Sequence, residues 1–428
     1  MADHPLHVET QLLHGAYAPD RETGATTLPI VQSTSFAYQT AEELEAVFAG
    51  REAGFVYSRI NNPALDGFER RLAVLEEALG AVSCASGMAA ISATVLTLAG
   101  VGDEIVSGNS IFGGTYSLFN ATLRRCGINT VFVEATDVAA FRAAVTDRTR
   151  MIFVETIGNP KLDVPDIAAI AEVAAAKGVV LVVDNTVTTP VLCQPKTLGA
   201  AIVVHSTSKF INGHGNAIGG IVVDCGTFDW STPRYAHLGP VYDRVRQFAF
   251  LAALRNQVHR DLGCCLSPFN AFLMSIGIES LAVRMERHCA NGLRVAETLA
   301  RDPRVGAVRY PGLGSHPNHG VAFRQFGGRY GALLTLKLGT KKRCFGFVNG
   351  LRRAQNAANL GDAKTLVIHP ASTFCRDATE EERQAMGVTE DLVRLSVGIE
   401  HVDDILEDLD QALDQASKQV GKPFGGKA

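Results

Sequence analysis

Short apolar runs recur along the middle of the chain, and Ala-rich stretches with helical periodicity separate most of them. Runs rich in Val and Ile predict buried strands, while stretches such as 166–174 predict helices. This alternation is typical of an α/β fold, in which a mostly parallel sheet has helices on both faces. The predicted strands span 104–107, 130–133, 151–155, 179–183, 202–205 and 218–223.

The pattern changes near residue 267. From there the sequence predicts a long helix, followed by shorter strands such as 331–337 and 391–396. We therefore expect a large domain over 61–266 and a smaller C-terminal α/β domain over 267–428. Residues 1–60 lack the alternation and are predicted to form an extended arm, and residues 421–428 are predicted to be disordered.

Composition and charge are those of an ordinary globular protein, with 46% hydrophobic residues, 20% charged residues and a net charge of −4. Because basic clusters are also missing, we expect no binding to nucleic acid. The most apolar long window, 81–102, is interrupted by Ser, Gly and Thr, which predicts a buried domain helix and not a membrane span. The first five residues lack the pattern of an export signal, so the expected location is the cytoplasm.

The nine cysteines and twelve histidines of the chain are scattered. Neither Cys-x-x-Cys nor a His/Cys ligand spacing occurs, so the sequence predicts neither a metal site nor a disulfide framework. Free thiols in a reducing compartment are the expected state.

One lysine follows a predicted strand in a segment rich in hydroxyl side chains, from His205 to His214. A lysine amine is nucleophilic only when it is deprotonated, and burial or a nearby cation lowers its pKa toward neutrality. Lys209 is therefore a candidate for forming an imine, while Ser206 and Ser208 are candidates for binding a phosphate. For this motif alone, a surface lysine in a Gly/Ser loop would be the better interpretation.

A carboxylate ends the strand that precedes this segment. Asp184 lies 25 residues before Lys209 and follows an uninterrupted apolar run, at the strand end where open α/β sheets bind ligands. Pyridoxal phosphate needs this pair, because the lysine holds the cofactor and the carboxylate keeps its ring nitrogen protonated. Taken alone, the aspartate could equally be a helix cap.

A third segment, Ser86-Gly87-Met88, opens an Ala-rich stretch that predicts a helix. The first N–H groups of a helix are unpaired and the helix dipole is positive there, which suits a phosphate. Serine is also a common N-cap, so the segment gains its meaning only beside Lys209 and Asp184.

With these three segments the chain resembles the cysteine/methionine-metabolism enzymes of the fold-type I pyridoxal-phosphate class, over nearly its whole length. The resemblance includes Tyr57-Ser58-Arg59, Asn159-Pro160 and the segment around Arg394. It implies that Tyr57 and Arg59 complete the phosphate site of a neighbouring subunit in a homo-oligomer, usually a dimer of dimers. It also implies that Asn159 lies near the phenolic oxygen of the cofactor and that Arg394 binds the substrate carboxylate in a bidentate manner.

Within this family, segments 266–273, 284–288 and 359–372 are similar to the O-acetylhomoserine sulfhydrylase subgroup. Relatives that act as γ-lyases or on cystathionine usually have Ser where this chain has Asn359, a position beside the substrate carboxylate. The resemblance implies a γ-replacement that converts O-acetylhomoserine and sulfide, or methanethiol, to homocysteine, or methionine, and acetate.

Two departures leave an alternative open. Phe112 occupies the place of a tyrosine that stacks on the cofactor in most relatives; a phenyl ring can stack but cannot transfer a proton. Residues 373–377, Thr-Phe-Cys-Arg-Asp, replace the usual Thr-Thr-His-Ser at the substrate pocket. A γ-lyase that acts on methionine, canavanine or a related amino acid is therefore the second hypothesis.

Overall fold

The structure, a computed structural model, describes residues 6–16, 18–20 and 24–418. Its larger sheet has seven strands: β1 (Gly80–Cys84), β2 (Glu104–Gly108), β3 (Asn129–Val133), β4 (Thr149–Glu155), β5 (Val180–Asp184), β6 (Ile202–His205) and β7 (Gly220–Asp224). Their order across the sheet is β1-β7-β6-β5-β4-β2-β3. The predicted α/β class is confirmed, and six of these strands were predicted to within about two residues.

Strands β2 to β6 are parallel to one another, and β7 is antiparallel to both β6 and β1. Both faces of the sheet are covered, since alternate residues of β5 belong to different parts of the core. Val180 and Val182 pack on one side, and Leu181 and Val183 on the other. This double burial explains why β5 is an uninterrupted apolar run.

Helices cover the larger sheet, and the predicted helix over 166–174 is confirmed as Ile167–Lys177. Asp166 caps its first turn by accepting a hydrogen bond from the N–H of Ala169 at 3.2 Å, and Gly178 ends it in the left-handed conformation. The helices before residue 267 are α1 (Val8–His14), α2 (Ala41–Phe48), α3 (Pro63–Leu75), α4 (Gly87–Leu98), α5 (Gly113–Ser117), α6 (Leu123–Arg125), α7 (Val138–Ala144), α8 (Ile167–Lys177), α9 (Thr189–Leu192), α10 (Gly239–Val245), α11 (Ala249–Ala253) and α12 (Arg260–Leu262). Short 3₁₀ and π segments add Leu118–Thr122, Pro195–Leu198, Pro233–Leu238, Arg246–Phe248 and Leu254–His259.

The C-terminal part of the chain forms a second, five-stranded sheet. Its strands are β8 (Ala307–Arg309), β9 (Leu333–Lys337), β10 (Gln355–Asn356), β11 (Leu366–Ile368) and β12 (Leu392–Ser396), in the order β10-β11-β12-β9-β8. Its helices are α13 (Pro268–Glu279), α14 (Leu281–Ala300), α15 (His319–Phe326), α16 (Lys341–Gly350), α17 (Glu380–Ala385) and α18 (Val402–Lys418), with a 3₁₀ turn at Pro370–Ser372.

Two sequence predictions need correction. The window 81–102, expected to be one helix, begins as strand β1 and becomes helix α4 only from Gly87, because its first residues pair with β7 in the sheet. The long helix expected from residue 267 is two helices, α13 and α14, which meet at Ser280.

The segment before residue 60 is not wholly extended, since it contains α1 and α2. Helix α1 is fixed to the large domain: Leu12 is buried, and its carbonyl accepts a hydrogen bond from Arg71 at 2.5 Å. Residues 421–428, predicted to be disordered, lie outside the described residues. In the described part of the chain, no helix is both long and apolar enough to cross a membrane.

Candidate active site

A cavity of about 900 Å³ lies at the carboxyl ends of β4, β5 and β6, where open α/β sheets bind ligands. Both halves of the chain contribute to its wall. The predicted site residues that line it are Ser86, Gly87, Met88, Phe112, Asn159, Asp184, Ser206, Ser208, Lys209, Asn359 and Arg394.

Lys209 follows β6 in a tight turn, in which its N–H donates to the carbonyl of Ser206 at 3.2 Å. Its Nζ donates to Oδ1 of Asn359 at 2.7 Å, and no carboxylate pairs with it in the described residues. Burial, together with the charge of Arg394, lowers the pKa of Lys209 to about 8. A substantial fraction of this amine is therefore neutral and nucleophilic near physiological pH.

Asp184 and Glu155 are direct neighbours on the parallel strands β5 and β4. Oδ1 of Asp184 accepts from the N–H of Thr186 at 2.9 Å, and Oε1 of Glu155 accepts from the N–H of Phe112 at 2.6 Å. Burial raises the pKa of Glu155 well above its usual value, and the neighbouring charge of Asp184 raises it further. Burial also raises the pKa of Asp184, against the effect of Thr186. We infer that Glu155 holds the proton of this pair and Asp184 carries the charge.

The N-terminus of α4 faces the cavity beside the lysine segment. Ser86 caps the helix, since its Oγ accepts from the N–H of Ala89 at 3.1 Å, while the N–H groups of the first turn have no partner inside the helix. A Cβ on Gly87 would lie 2.6 Å from the Cβ of Ser206. Only glycine therefore allows the helix to approach the lysine segment this closely.

Arg394, on β12, is buried and has neutral oxygens as partners. Its guanidinium donates to Oδ1 of Asn159 at 3.0 Å and to the carbonyl of Asn359 at 2.7 Å, while its Nε is buried without a partner in the described residues. Burial lowers its pKa to about 10, so it remains protonated at neutral pH. A buried guanidinium without a carboxylate partner is well suited to binding an anionic ligand.

Two aromatic rings complete the wall on the side of the smaller sheet. The rings of Phe112 and Phe374 are 6.2 Å apart, and the guanidinium of Arg394 lies 5.3 Å above the ring of Phe374. Phe374 thus contacts Arg394 directly. Tyr116, the nearest tyrosine after Phe112 in the sequence, stacks on Phe132 and does not line the cavity, so it does not replace the missing hydroxyl.

Sequence reasoning missed two residues that shape this site. One is Glu155, which entered the sequence analysis only as the last residue of the predicted strand 151–155. The other is Arg284, a buried residue of α14 that donates to the carbonyls of Phe210 at 2.6 Å and Ile211 at 3.2 Å, directly after Lys209. An arginine that hydrogen-bonds backbone carbonyls leaves no local sequence signal, because its partners are identified only by the fold.

Tyr57 and Arg59 do not line the cavity of their own chain. Both are exposed, the guanidinium of Arg59 lies 5.2 Å above the ring of Tyr57, and Arg59 donates to the carbonyl of Arg260 at 2.8 Å. Their expected role in a neighbouring subunit stays a prediction.

Comparison with known proteins agrees with this arrangement. The sequence profile of the family described as Cys/Met metabolism PLP-dependent enzyme matches residues 9–414. The chain belongs to this family. It is 43% identical to the homocysteine synthase of Schizosaccharomyces pombe, over 95% of this chain and 98% of that protein. It is also 41% identical to the O-acetyl-L-homoserine sulfhydrylase of Leptospira meyeri, over 94% of this chain and 96% of that protein.

Solved structures show the same fold. The putative O-acetylhomoserine (thiol)-lyase of Campylobacter jejuni superimposes with a TM-score of 0.92 at 34% identity, over 96% of this chain and all of that chain. That crystal structure contains N'-pyridoxyl-lysine-5'-monophosphate. The metB protein of Corynebacterium glutamicum superimposes with a TM-score of 0.84 at 35% identity, over 96% of this chain and 98% of that chain.

As a member of this family the chain depends on pyridoxal phosphate. Its cavity fits that group on three separate observations. A lysine with a lowered pKa and a half-buried carboxylate, Asp184, line the same cavity. The N-terminus of α4 faces it at a place where a Cβ on Gly87 would meet Ser206. The buried Arg394 remains without a charged partner in the described residues.

Proposed function

We propose that this protein catalyses a γ-replacement, in which O-acetylhomoserine and sulfide give homocysteine and acetate. Methanethiol in place of sulfide would give methionine and acetate. One observation supports this most directly. The cavity brings together a lysine with a lowered pKa, a half-buried carboxylate and a buried arginine, with Asn359 in contact with both the lysine and the arginine. The names of the relatives from yeast and Leptospira agree with this reaction.

Pyridoxal phosphate, when bound, supplies an electron-withdrawing ring that stabilises negative charge on the reacting carbons of an amino acid. We propose that Lys209 holds it covalently and that Asp184 keeps its ring nitrogen protonated. Its phosphate would bind Ser86, Gly87, Met88, Ser206 and Ser208, where helix N–H groups and the hydroxyls of Ser86 and Ser206 are available as donors. The hydroxyl of Ser208 donates to the carbonyl of Gly219 at 3.1 Å and would have to turn toward the phosphate.

Arg394 would bind the carboxylate of the amino acid, held in position by Asn159 and the carbonyl of Asn359. The Nζ of Lys209, once free, would accept the Cα proton, because its pKa of about 8 allows it both to accept and to return a proton near neutral pH. Asn359 accepts a hydrogen bond from this amine and so orients it.

Phe112 agrees with an acylated substrate. Its ring lines the cavity but carries no hydroxyl, so it gives no proton to a leaving group. Acetate leaves without protonation, whereas a thiolate leaves more easily with it. The missing hydroxyl is therefore tolerated better with O-acetylhomoserine than with methionine.

The second candidate function is a γ-lyase acting on methionine, canavanine or a related amino acid. One observation favours it: Phe374, from the segment that departs from the sulfhydrylase pattern, lies against Arg394 and Phe112 at the substrate side of the cavity.

We further propose that the chain works as a cytoplasmic homo-oligomer, a dimer of dimers, in which residues 1–60 contact a neighbouring subunit. The proposal is supported by Tyr57 and Arg59, which lie outside their own cavity, and by exposed apolar residues at its rim such as Ile218. Residues 61–266 would then form the cofactor-binding domain and residues 267–428 the smaller domain.

Product analysis of the pure, cofactor-loaded protein distinguishes the two reactions. O-acetylhomoserine is supplied with and without sulfide, and methionine and canavanine are supplied alone, with Lys209→Ala as the inactive control. Homocysteine that forms only from O-acetylhomoserine and sulfide is the expected result. A 2-oxo acid or homoserine formed from the other amino acids without sulfide would instead identify a γ-lyase.

A further inference from the structure

A second cavity, of about 350 Å³, lies between the loop after β4 and the outer strands of the smaller sheet. Pro160 and Lys161 line one side, and residues of β8 and β9 line the other. Its polar lining includes Arg309, His316, Thr335 and Lys337. It shares no lining residue with the candidate active site.

The lining of this cavity is cationic. Lys161, Arg309 and Lys337 line it, and none of its lining residues is an Asp or Glu. Arg309 pairs with Asp163, and Lys161 pairs with both Asp163 and Glu134, each at 2.9 Å. Lys337 has no ion-pair partner in the described residues. A positive charge thus remains available at the cavity.

Two buried donors at the same cavity lack a well-formed hydrogen bond. His316 is 5% exposed, and its Nδ1 accepts from the N–H of Asn318 at 3.1 Å, which places the ring proton on Nε2. That Nε2 has only a weak interaction with the carbonyl of Leu162. The Nε of Arg309 is buried without a hydrogen bond in the described residues. Unpaired buried donors are unfavourable and are usually satisfied by water or a ligand.

We propose that this cavity binds a small oxyanion, either an inorganic anion such as sulfate or phosphate or the carboxylate of a small metabolite. Arg309 and Lys337 supply the charge, and the ring N–H of His316 and the hydroxyl of Thr335 supply neutral donors. Burial and the Arg309 charge hold the pKa of His316 down to about 4, so its ring serves as a neutral donor at physiological pH.

The position of this oxyanion site links it to the substrate carboxylate site. Thr335 of β9 pairs with Arg309 of β8 on one side and with Arg394 of β12 on the other. On the other wall, Pro160 directly follows Asn159, whose Oδ1 accepts from Arg394. One wall of the second cavity is therefore one strand away from Arg394. The other wall is one residue away from Asn159, which accepts a hydrogen bond from Arg394.

An anion bound here would pull the loop after β4 toward β8 and β9. Because Asn159 belongs to this loop and Arg394 to the smaller sheet, we expect a bound anion to change the position of Asn159 relative to Arg394. It should therefore change the affinity for the amino-acid substrate more than the turnover rate. This coupling is reciprocal, so a substrate analogue would change the affinity for the anion by the same factor.

The test is isothermal titration calorimetry of the cofactor-loaded enzyme with sulfate, at constant ionic strength maintained with chloride. We compare the wild type with Lys337→Gln and Thr335→Val, and with Lys342→Gln, which removes an exposed lysine of α16 that does not line the cavity. We expect wild type and Lys342→Gln to bind equally, and each cavity variant to bind at least about fivefold more weakly.

Three results would overturn the site: no sulfate binding beyond chloride, equal binding by all four proteins, or competition between sulfate and the amino acid that the cavity variants leave unchanged. The last result would place the anion on Arg394. Phosphate and acetate titrated in parallel distinguish the sources, because an inorganic-anion site prefers sulfate and phosphate, whereas a carboxylate site binds acetate with comparable affinity.

Discussion

The lowered pKa of Lys209 predicts a pH dependence that can be measured. Burial and the charge of Arg394 lower its pKa to about 8, and only the neutral amine attacks an aldehyde. We expect the rate at which the apoenzyme takes up pyridoxal phosphate to rise by about tenfold per pH unit below pH 8 and to level off above it. Stopped-flow absorbance measures this rate at a series of pH values from roughly 6.5 to 9.5, which brackets the pKa.

Arg394→Gln is the control for this profile. Because the charge of Arg394 lowers the pKa of Lys209, its removal should move the midpoint to higher pH. A midpoint near 10 in the wild type, or an unchanged midpoint in the variant, would contradict this account of the lysine.

At the scale of single residues, the sequence predicted most of the site. Lys209, Asp184 and Arg394 were identified because strand ends, apolar runs and family motifs mark them, and the structure places all three around one cavity. Their individual roles stay predictions. Glu155 was not assigned to the site, because its proximity to Asp184 depends on the register between β4 and β5, which no local pattern specifies.

At the scale of elements, the contact between α4 and the lysine segment depends on a glycine. In Gly87→Ala the new Cβ would meet the Cβ of Ser206 at 2.6 Å, so the helix must move away from the cavity. We expect the affinity for pyridoxal phosphate to fall by about tenfold, with a loss of about 1–3 kcal/mol in the free energy of unfolding. Equilibrium dialysis and urea unfolding measure the two effects.

Gly239→Ala is the matched control, because a Cβ at this position of α10 meets nothing within 4 Å. It should leave both quantities nearly unchanged. If Gly87→Ala bound the cofactor as tightly as Gly239→Ala, the helix N-terminus would not be part of the phosphate site.

Helix α14 holds the lysine segment from outside the cavity. Arg284 donates to the carbonyls of Phe210, Ile211 and Gly277, the last at 2.6 Å, so Arg284→Met would leave three buried carbonyls without this donor. We expect kcat to fall by about tenfold or more while KM changes by less than about threefold, because the lysine is displaced and Arg394 is not. Steady-state kinetics as a function of pH measure this split, and the pH midpoint of kcat should also shift.

Arg287→Met is the control, because Arg287 is exposed on the same helix. A parallel loss of kcat in both variants would show a general destabilisation of α14. Recovery of kcat in Arg284→Lys, which retains the charge and some hydrogen bonding, would support a positioning role.

The elements themselves show where sequence patterns succeed. Strands such as β6 were predicted with their observed bounds, because buried parallel strands are continuous apolar runs. Strand β1 was missed, since its residues and those of α4 form one apolar window in which periodicity cannot distinguish a strand from a helix. The division of the helix after residue 267 at Ser280 is also poorly marked, because the nearby Gly277 lies within α13 and not at the division itself.

At the scale of the whole molecule, the exposed Tyr57 and Arg59 predict a site shared between two subunits. We expect each variant to be nearly inactive alone. Arg59→Ala should retain the cofactor weakly, and Lys209→Ala lacks the reactive amine. If Arg59 serves the neighbouring cavity, a hybrid dimer has one site with both changes and one intact site. Mixing the two unfolded variants and refolding them should recover up to about a quarter of the wild-type activity.

Refolding each variant alone controls for this experiment and should recover almost none. If the mixture were no more active than the variants alone, Arg59 would act within its own chain, or the chain would not form the shared dimer. The arm itself was predicted from the missing alternation, but its contact with another subunit came only from the family resemblance, because such a contact leaves no periodic pattern.

Asn359 touches the two charged groups of the site through different parts of itself. Its side-chain oxygen accepts from Lys209, and its main-chain oxygen accepts from Arg394. Every amino acid carries a main-chain carbonyl, so a replacement here alters the environment of the amine and spares the hydrogen bond to Arg394. The chemistry of the amine can therefore vary at position 359 while the arginine stays where it is.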